Sequence, residues 1–184
     1  ERLPFVKQVS LIRAEAQPAQ TDVSERFLPP DDTATLYPQL LRMGGNLFVE
    51  NGINGKGKRI AVLDGGFPNV DTHSAFRHLR ENHQIIKTYN FPNKKENVYG
   101  WNSHGTMVLS CIAGIDDGKQ LGLATGAEFL LARTEIDLEP AKEEVWWMQA
   151  MEWADQNGAD IINSSLGYGK DRYNVDDMDG QTSV

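Results

Sequence analysis

The chain is short of cysteine, short of positive charge and without a long apolar run. Cys111 is the single cysteine in 184 residues, so no disulfide can form within the chain and no cystine-stapled scaffold applies. Lys and Arg number 18 against 26 Asp and Glu, a net charge of −8. The basic clusters Lys56-Gly57-Lys58-Arg59 and Lys94-Lys95 are short and diluted by Gly, Asn or Glu. A phosphate-backbone partner requires a basic face, so nucleic-acid binding is disfavoured. No apolar stretch approaches the roughly 20 residues needed to cross a bilayer, and no membrane partner is expected. No signal peptide is visible; the chain opens Glu1-Arg2-Leu3 without Met and reads as a processed or excised piece. No internal repeat or low-complexity tract appears.

What remains is ordinary globular composition: 40% hydrophobic and 24% charged residues, enough to build a core. Residues 1–33 stand apart. Leu3-Pro4-Phe5-Val6 and Val9-Ser10-Leu11-Ile12 are strand-like, and the following Ala/Pro/Gln/Asp/Ser stretch to Asp32 reads as an extended linker. From residue 34 the pattern is compact. Short helical turns broken by Gly44-Gly45 are expected between Tyr37 and Gly52.

Four segments read as strands: Arg59–Leu63, Gln84–Phe91, Glu128–Arg133 and Asp160–Ser164. Two read as helices. Ser103–Ala113 would place Met107, Val108, Cys111 and Ile112 on its apolar face, with Cys111 packed and inert and Gly114 as the C-cap. Glu143–Asn157 would bury Val145, Met148, Trp153 and Ala154 and end at Gly158, with Trp146 and Trp147 as packing residues. Alternation of strands and helices predicts an α/β fold, a doubly wound parallel sheet. Sites in such sheets lie at the carboxyl ends of the strands. Asp64 and the segment Ser164–Gly167 fall at such ends.

Asp64 directly follows a buried apolar run and precedes two glycines, a poor place for packing. By itself it could orient a histidine, accept phosphate, bind a metal or cap the next turn. His104, in Asn102-Ser103-His104-Gly105-Thr106, opens an otherwise apolar helix beside small residues, so something must approach closely there. The other histidines, His73, His78 and His83, lie in a polar, loop-like stretch. Asp71-x-His73 lacks further metal-ligand spacing. Asp176, Asp177 and Asp179 lack the EF-hand spacing and read as a solvated turn. Asn163-Ser164-Ser165 matches a glycosylation acceptor, but its place at a buried strand end argues coincidence.

Taken together, apolar strand–Asp64-Gly65-Gly66 and, 40 residues on, His104-Gly105-Thr106-Met107-Val108 resemble the subtilisin-like serine proteases (subtilases), whose pattern there is His-Gly-Thr-x-Val. Met107 stands where the family commonly has a second histidine. Gly158-Ala159-Asp160-Ile161-Ile162-Asn163-Ser164-Ser165-Leu166-Gly167 looks like the family's Gly-Ala-Asp-Val-Ile-Asn-x-Ser-Leu-Gly segment. Gly122–Ala127, Leu131-Ala132-Arg133-Thr134-Glu135 and Trp147–Ala154 also match a bacterial branch. Leu3–Val6 resembles the end of a propeptide.

The resemblance covers residues 35 to 184 and implies the N-terminal portion of a peptidase domain at 34–184, its sheet incomplete in this chain. It implies an endopeptidase with an Asp-His-Ser triad: Asp64 orienting His104, and His104 acting as general base and then acid for a serine. Ser165, Leu166 and Gly167 would pair with a peptide substrate as an added strand. The serine and the oxyanion-hole asparagine are expected beyond the chain end. Gly180-Gln181-Thr182-Ser183 is interrupted by Gln181 and lies too close to Gly167 to supply the serine. The fragment alone is therefore expected to be inactive, with the remaining C-terminal part of the domain as its partner. No catalytic cofactor is implied, and a structural calcium ion is given no location. A secreted or periplasmic location follows from the resemblance alone. The competing reading is a non-catalytic relative that keeps the fold and groove as a peptide-binding module. A phosphotransfer or metal-dependent domain built on Asp64 would need further acids at neighbouring strand ends.

Overall fold

A computed structural model describes residues 36–138 and 142–167. The 1–33 segment, Gly180–Ser183 and the acids 176–179 lie outside the described residues. The chain opens with two short helices, α1 (Pro38–Arg42) and α2 (Gly45–Glu50). Strand β1 (Arg59–Asp64) follows, then a 3₁₀ turn Ser74–Phe76, α3 (Arg77–Glu81) and β2 (Ile85–Asn90). Helix α4 (His104–Ala113) leads into a two-residue-per-strand hairpin, β3 (Ile115–Asp116) and β4 (Lys119–Gln120). Then come β5 (Glu128–Arg133), α5 (Lys142–Gln156) and β6 (Ile161–Ser164).

Strands β2-β5-β1-β6 form one sheet in that order, all pairs parallel. The α/β expectation is met, and its reason is visible in β1. Its residues alternate faces, as a pleated strand must. Ile60 and Val62 pack with Phe67, Leu109, Phe129 and Leu131 on the α4 side, whereas Ala61 and Leu63 pack with Leu130, Ala132, Ala150 and Ala154 on the α5 side. Both faces are covered, which is why β1 and β5 read as unbroken apolar runs. The same alternation carries Asp64 to the α4 side.

Several expectations are corrected. The buried face of α4 is Gly105, Leu109 and Ala113; Met107 is 56% exposed and Cys111 is also exposed rather than packed. Close docking of Gly105 against β1 rotates the helix away from the face that hydropathy favours. On α5 the buried residues are Glu143, Ala150 and Ala154, while Val145 and Met148 are exposed. Small residues there let the helix approach the sheet, and Trp146, Trp147 and Trp153 pack around its edges. β6 is half-exposed rather than buried, Ile161 reaching 52%, because no described strand covers its outer edge. The polar histidine stretch is a 3₁₀ turn and helix that bury Ala75, Phe76 and Leu79. His73 there caps that turn through Nδ1, which accepts from the Ala75 N–H. Gly114 caps α4 in an extended, not left-handed, conformation.

Candidate active site

Asp64 ends β1 and is fully buried. Its Oδ1 accepts the Gly65 backbone N–H at 2.7 Å. Its two oxygens lie 3.0 and 2.9 Å from Nδ1 of His104. Burial pushes this carboxyl above its ordinary range, opposed by the Gly65 N–H and by the His104 hydrogen bond and charge. The pair is asymmetric: the His104 side chain is 46% exposed, its partner not at all. With Nδ1 committed to Asp64, Nε2 is the ring nitrogen left to face the open side.

Each residue of His104-Gly105-Thr106 has a separate task in making that contact. The His104 N–H donates to Asn102 Oδ1 at 2.9 Å, which fixes where α4 begins. A Cβ at Gly105 would lie 2.4 Å from the Gly66 carbonyl oxygen and 2.8 Å from Asp64 Cβ, so only glycine lets the helix seat. Thr106 Oγ1 donates to the Pro68 carbonyl at 2.8 Å and pins the first turn to the loop after β1. Gly66 takes a positive φ of 153°, and a Cβ there would meet the Gly100 carbonyl. The close approach suspected beside His104 is thus backbone on backbone.

A cleft of about 480 Å³ opens beside this pair. Gly65, Asn102, His104 and Met107 line it with Ser165, Leu166 and Gly167, and Glu135, Ile136, Asp137 and Glu143 complete the wall. Of the residues the sequence assigned to the site, His104, Ser165, Leu166 and Gly167 border this one cavity, and Asp64 lies buried beneath His104. Ser165 and Gly167 are exposed and Leu166 is half-buried, directly after β6. Trp147 Nε1 donates to Ser164 Oγ at 2.8 Å and ties that segment to α5. A second cleft, of about 560 Å³, lies among Arg77, His78 and Asp116 and holds none of the residues assigned to the site.

The acids at the cleft wall and the asparagine at 102 were not singled out from the sequence. Neither was Arg133, which faces Asp64 across β1 and β5. A charged residue closing a buried apolar run is the same signal that marked Asp64, and it was available at Arg133. Among the described residues, no hydroxyl hydrogen-bonds to the His104 ring. Nor does any group of three or more His, Cys, Asp or Glu side chains stand ready to hold a metal ion there. The residue in register with Asp64 at the end of β5 is Arg133.

Comparison with known proteins bears on the family and the fold. The sequence model of the subtilase family matches residues 55–183. Subtilisin E of Bacillus subtilis (strain 168) is 27% identical over 152 residues, covering 79% of this chain and 38% of that protein. The major intracellular serine protease of the same organism is 31% identical over 121 residues, 63% of this chain and 36% of that protein. Among solved structures, MycP1 with its N-terminal propeptide removed aligns with a TM-score of 0.51 at 21% identity. That alignment covers 68% of this chain and 35% of the other, a likeness of fold. The chain spans under two-fifths of the length of these proteins.

Proposed function

The chain belongs to the subtilase family, and from that premise we propose that it carries the aspartate and histidine of a serine endopeptidase. In this reading Asp64 holds His104 in the tautomer with hydrogen on Nδ1, so that Nε2 presents a lone pair to the cleft. His104 takes the proton of a serine hydroxyl as that oxygen attacks the substrate carbonyl, then returns it to the leaving amine. The serine is supplied from beyond the described residues. The buried carboxylate stabilises the imidazolium that forms between the two transfers. Ser165, Leu166 and Gly167 pair with the substrate backbone along the cleft, as an added strand would. The reaction as written uses no cofactor.

The observation that supports this most is the 2.9 Å contact between a fully buried carboxylate and a half-exposed imidazole at the rim of a parallel sheet. Burying an acid costs stability, and a core needs none at that point. The test is labelling of the full-length protein with a serine-directed phosphonate. Labelling that disappears in His104→Ala supports the triad. A folded protein that binds peptides but never labels is the non-catalytic module instead. A location outside the cytoplasm belongs to the same proposal; one relative is an intracellular protease, and cell fractionation decides.

A further inference from the structure

Two glycines follow Asp64, and glycine constrains its own backbone less than any other residue. The segment on the other side, Gly100-Trp101-Asn102, is strained rather than loose. Trp101 sits at φ 67°, a left-handed conformation that a bulky side chain adopts only when its surroundings impose it. The contact between Asp64 and His104 therefore has to be held from outside both segments.

Arg133 reaches both. It ends β5 in register with Asp64, so the two side chains leave the sheet on the same side. It is only 4% exposed. Its Nε donates to the Gly65 carbonyl at 2.9 Å, and its Nη1 reaches Asn90 Oδ1 at 3.4 Å. Its Cζ lies over the Trp101 ring, 4.5 Å from the ring centre. Trp101 in turn bridges Gly66, and the next residue, Asn102, accepts the His104 N–H. One planar cation thus touches the turn that sets the carboxylate and the segment that delivers the imidazole. Glu135, Asp137 and Glu143 offset its charge.

We propose that Arg133 is a positioning residue of the active site, its guanidinium clamping the Gly65 turn to Trp101 so that Asp64 and His104 meet in one fixed geometry. The assignment rests on the protease reading above. The fork matters as much as the charge: a guanidinium can donate to Gly65 through Nε while its Cζ stays over the indole, whereas an ammonium is a single point charge that cannot span both.

The experiment uses the full-length protein with a fluorogenic peptide, comparing Arg133→Lys, Arg133→Met and Trp101→Leu with His104→Ala. A displacement on the order of 1 Å at reacting groups can cost about 100-fold in rate. Both Arg133 variants are expected to lose roughly that much kcat, with KM little changed, and Trp101→Leu a smaller part. Phosphonate labelling should slow in parallel. The low-field proton resonance of the Asp64–His104 hydrogen bond should shift or broaden. Should Arg133→Met fail to fold, Arg133→Lys keeps charge and bulk, and the proton resonance reads the site without turnover. Wild-type kcat and an unmoved resonance in folded Arg133→Lys overturn the clamp. If His104→Ala remains active, the protease reading itself fails. If His104→Ala is inactive while the Arg133 variants turn over normally, only the clamp fails.

Discussion

The two ends of strand β1 are built on opposite terms. At the amino end, Arg59 donates through Nε and Nη2 to Glu128 and through Nη1 to the Asn157 carbonyl. Lys58 pairs with Asp160, which also accepts the Arg59 N–H. Every charge there has an opposite partner and most are partly solvated, an arrangement that adds little stability and costs little. At the carboxyl end, five residues away, a carboxylate is fully buried against a neutral-capable imidazole, with its ionised form disfavoured by desolvation. The backbone around it is left-handed at Trp101 and crowded at Gly66 and Gly105. One strand thus has an end that closes its charges locally and an end that keeps a charge at the expense of folding. The second pattern is what a site under functional demand looks like.

That contrast can be broken at either end. The largest effect is expected for His104→Ala in the full-length protein. Loss of the general base should lower kcat by about 10⁶, a magnitude taken from a subtilisin's own histidine. Asp64→Asn comes next, at about 10⁴ in kcat, the value known for such a change in another triad protease. Its stability should move the other way. The folded-state pKa of Asp64 is raised, so the stability this group contributes is full only below its unfolded pKa and declines as pH rises through the folded one. At neutral pH the ionised form is a burden, and the asparagine variant should melt no lower than the parent, a difference that shrinks as the pH is lowered. A scan of melting temperature against pH checks both signs.

Gly105→Ala should unseat α4 and weaken both folding and labelling, since the new methyl would sit 2.4 Å from a carbonyl oxygen. Truncating the fully buried Leu109 to Ala should cost about 2–5 kcal/mol by denaturant unfolding. At the amino end, Glu128→Gln should cost under about 1 kcal/mol and leave kcat unchanged. A large loss of activity from Glu128→Gln would erase the distinction between the two ends.

Sequence pattern was sufficient where one signal dominated. β1 and β5 are buried on both faces, so their unbroken apolar runs could be read directly, and Asp64 stood out as the acid that ended one of them. His104-Gly105-Thr106 was legible as a place of close approach. The helix faces were not. On α4 the buried stripe is set by Gly105, whose value lies in having no side chain, a feature hydropathy cannot score. On α5 the buried residues are alanines and a glutamate whose Oε1 accepts the Ile136 N–H at 2.6 Å; the larger Val145 and Met148 point outward. The burial of β6 was overread because its apolar composition anticipates a neighbouring strand that the described residues do not include. Arg133 was quoted only as part of a matching segment; its role depends on register across two strands far apart in sequence.

The account depends above all on the coupling of Asp64 to His104, and the rate of phosphonate labelling in the full-length protein tests it most directly. The account predicts a labelling rate that falls by several orders of magnitude in His104→Ala and is also strongly reduced in Asp64→Asn. A labelling rate that is unchanged in both variants would contradict it.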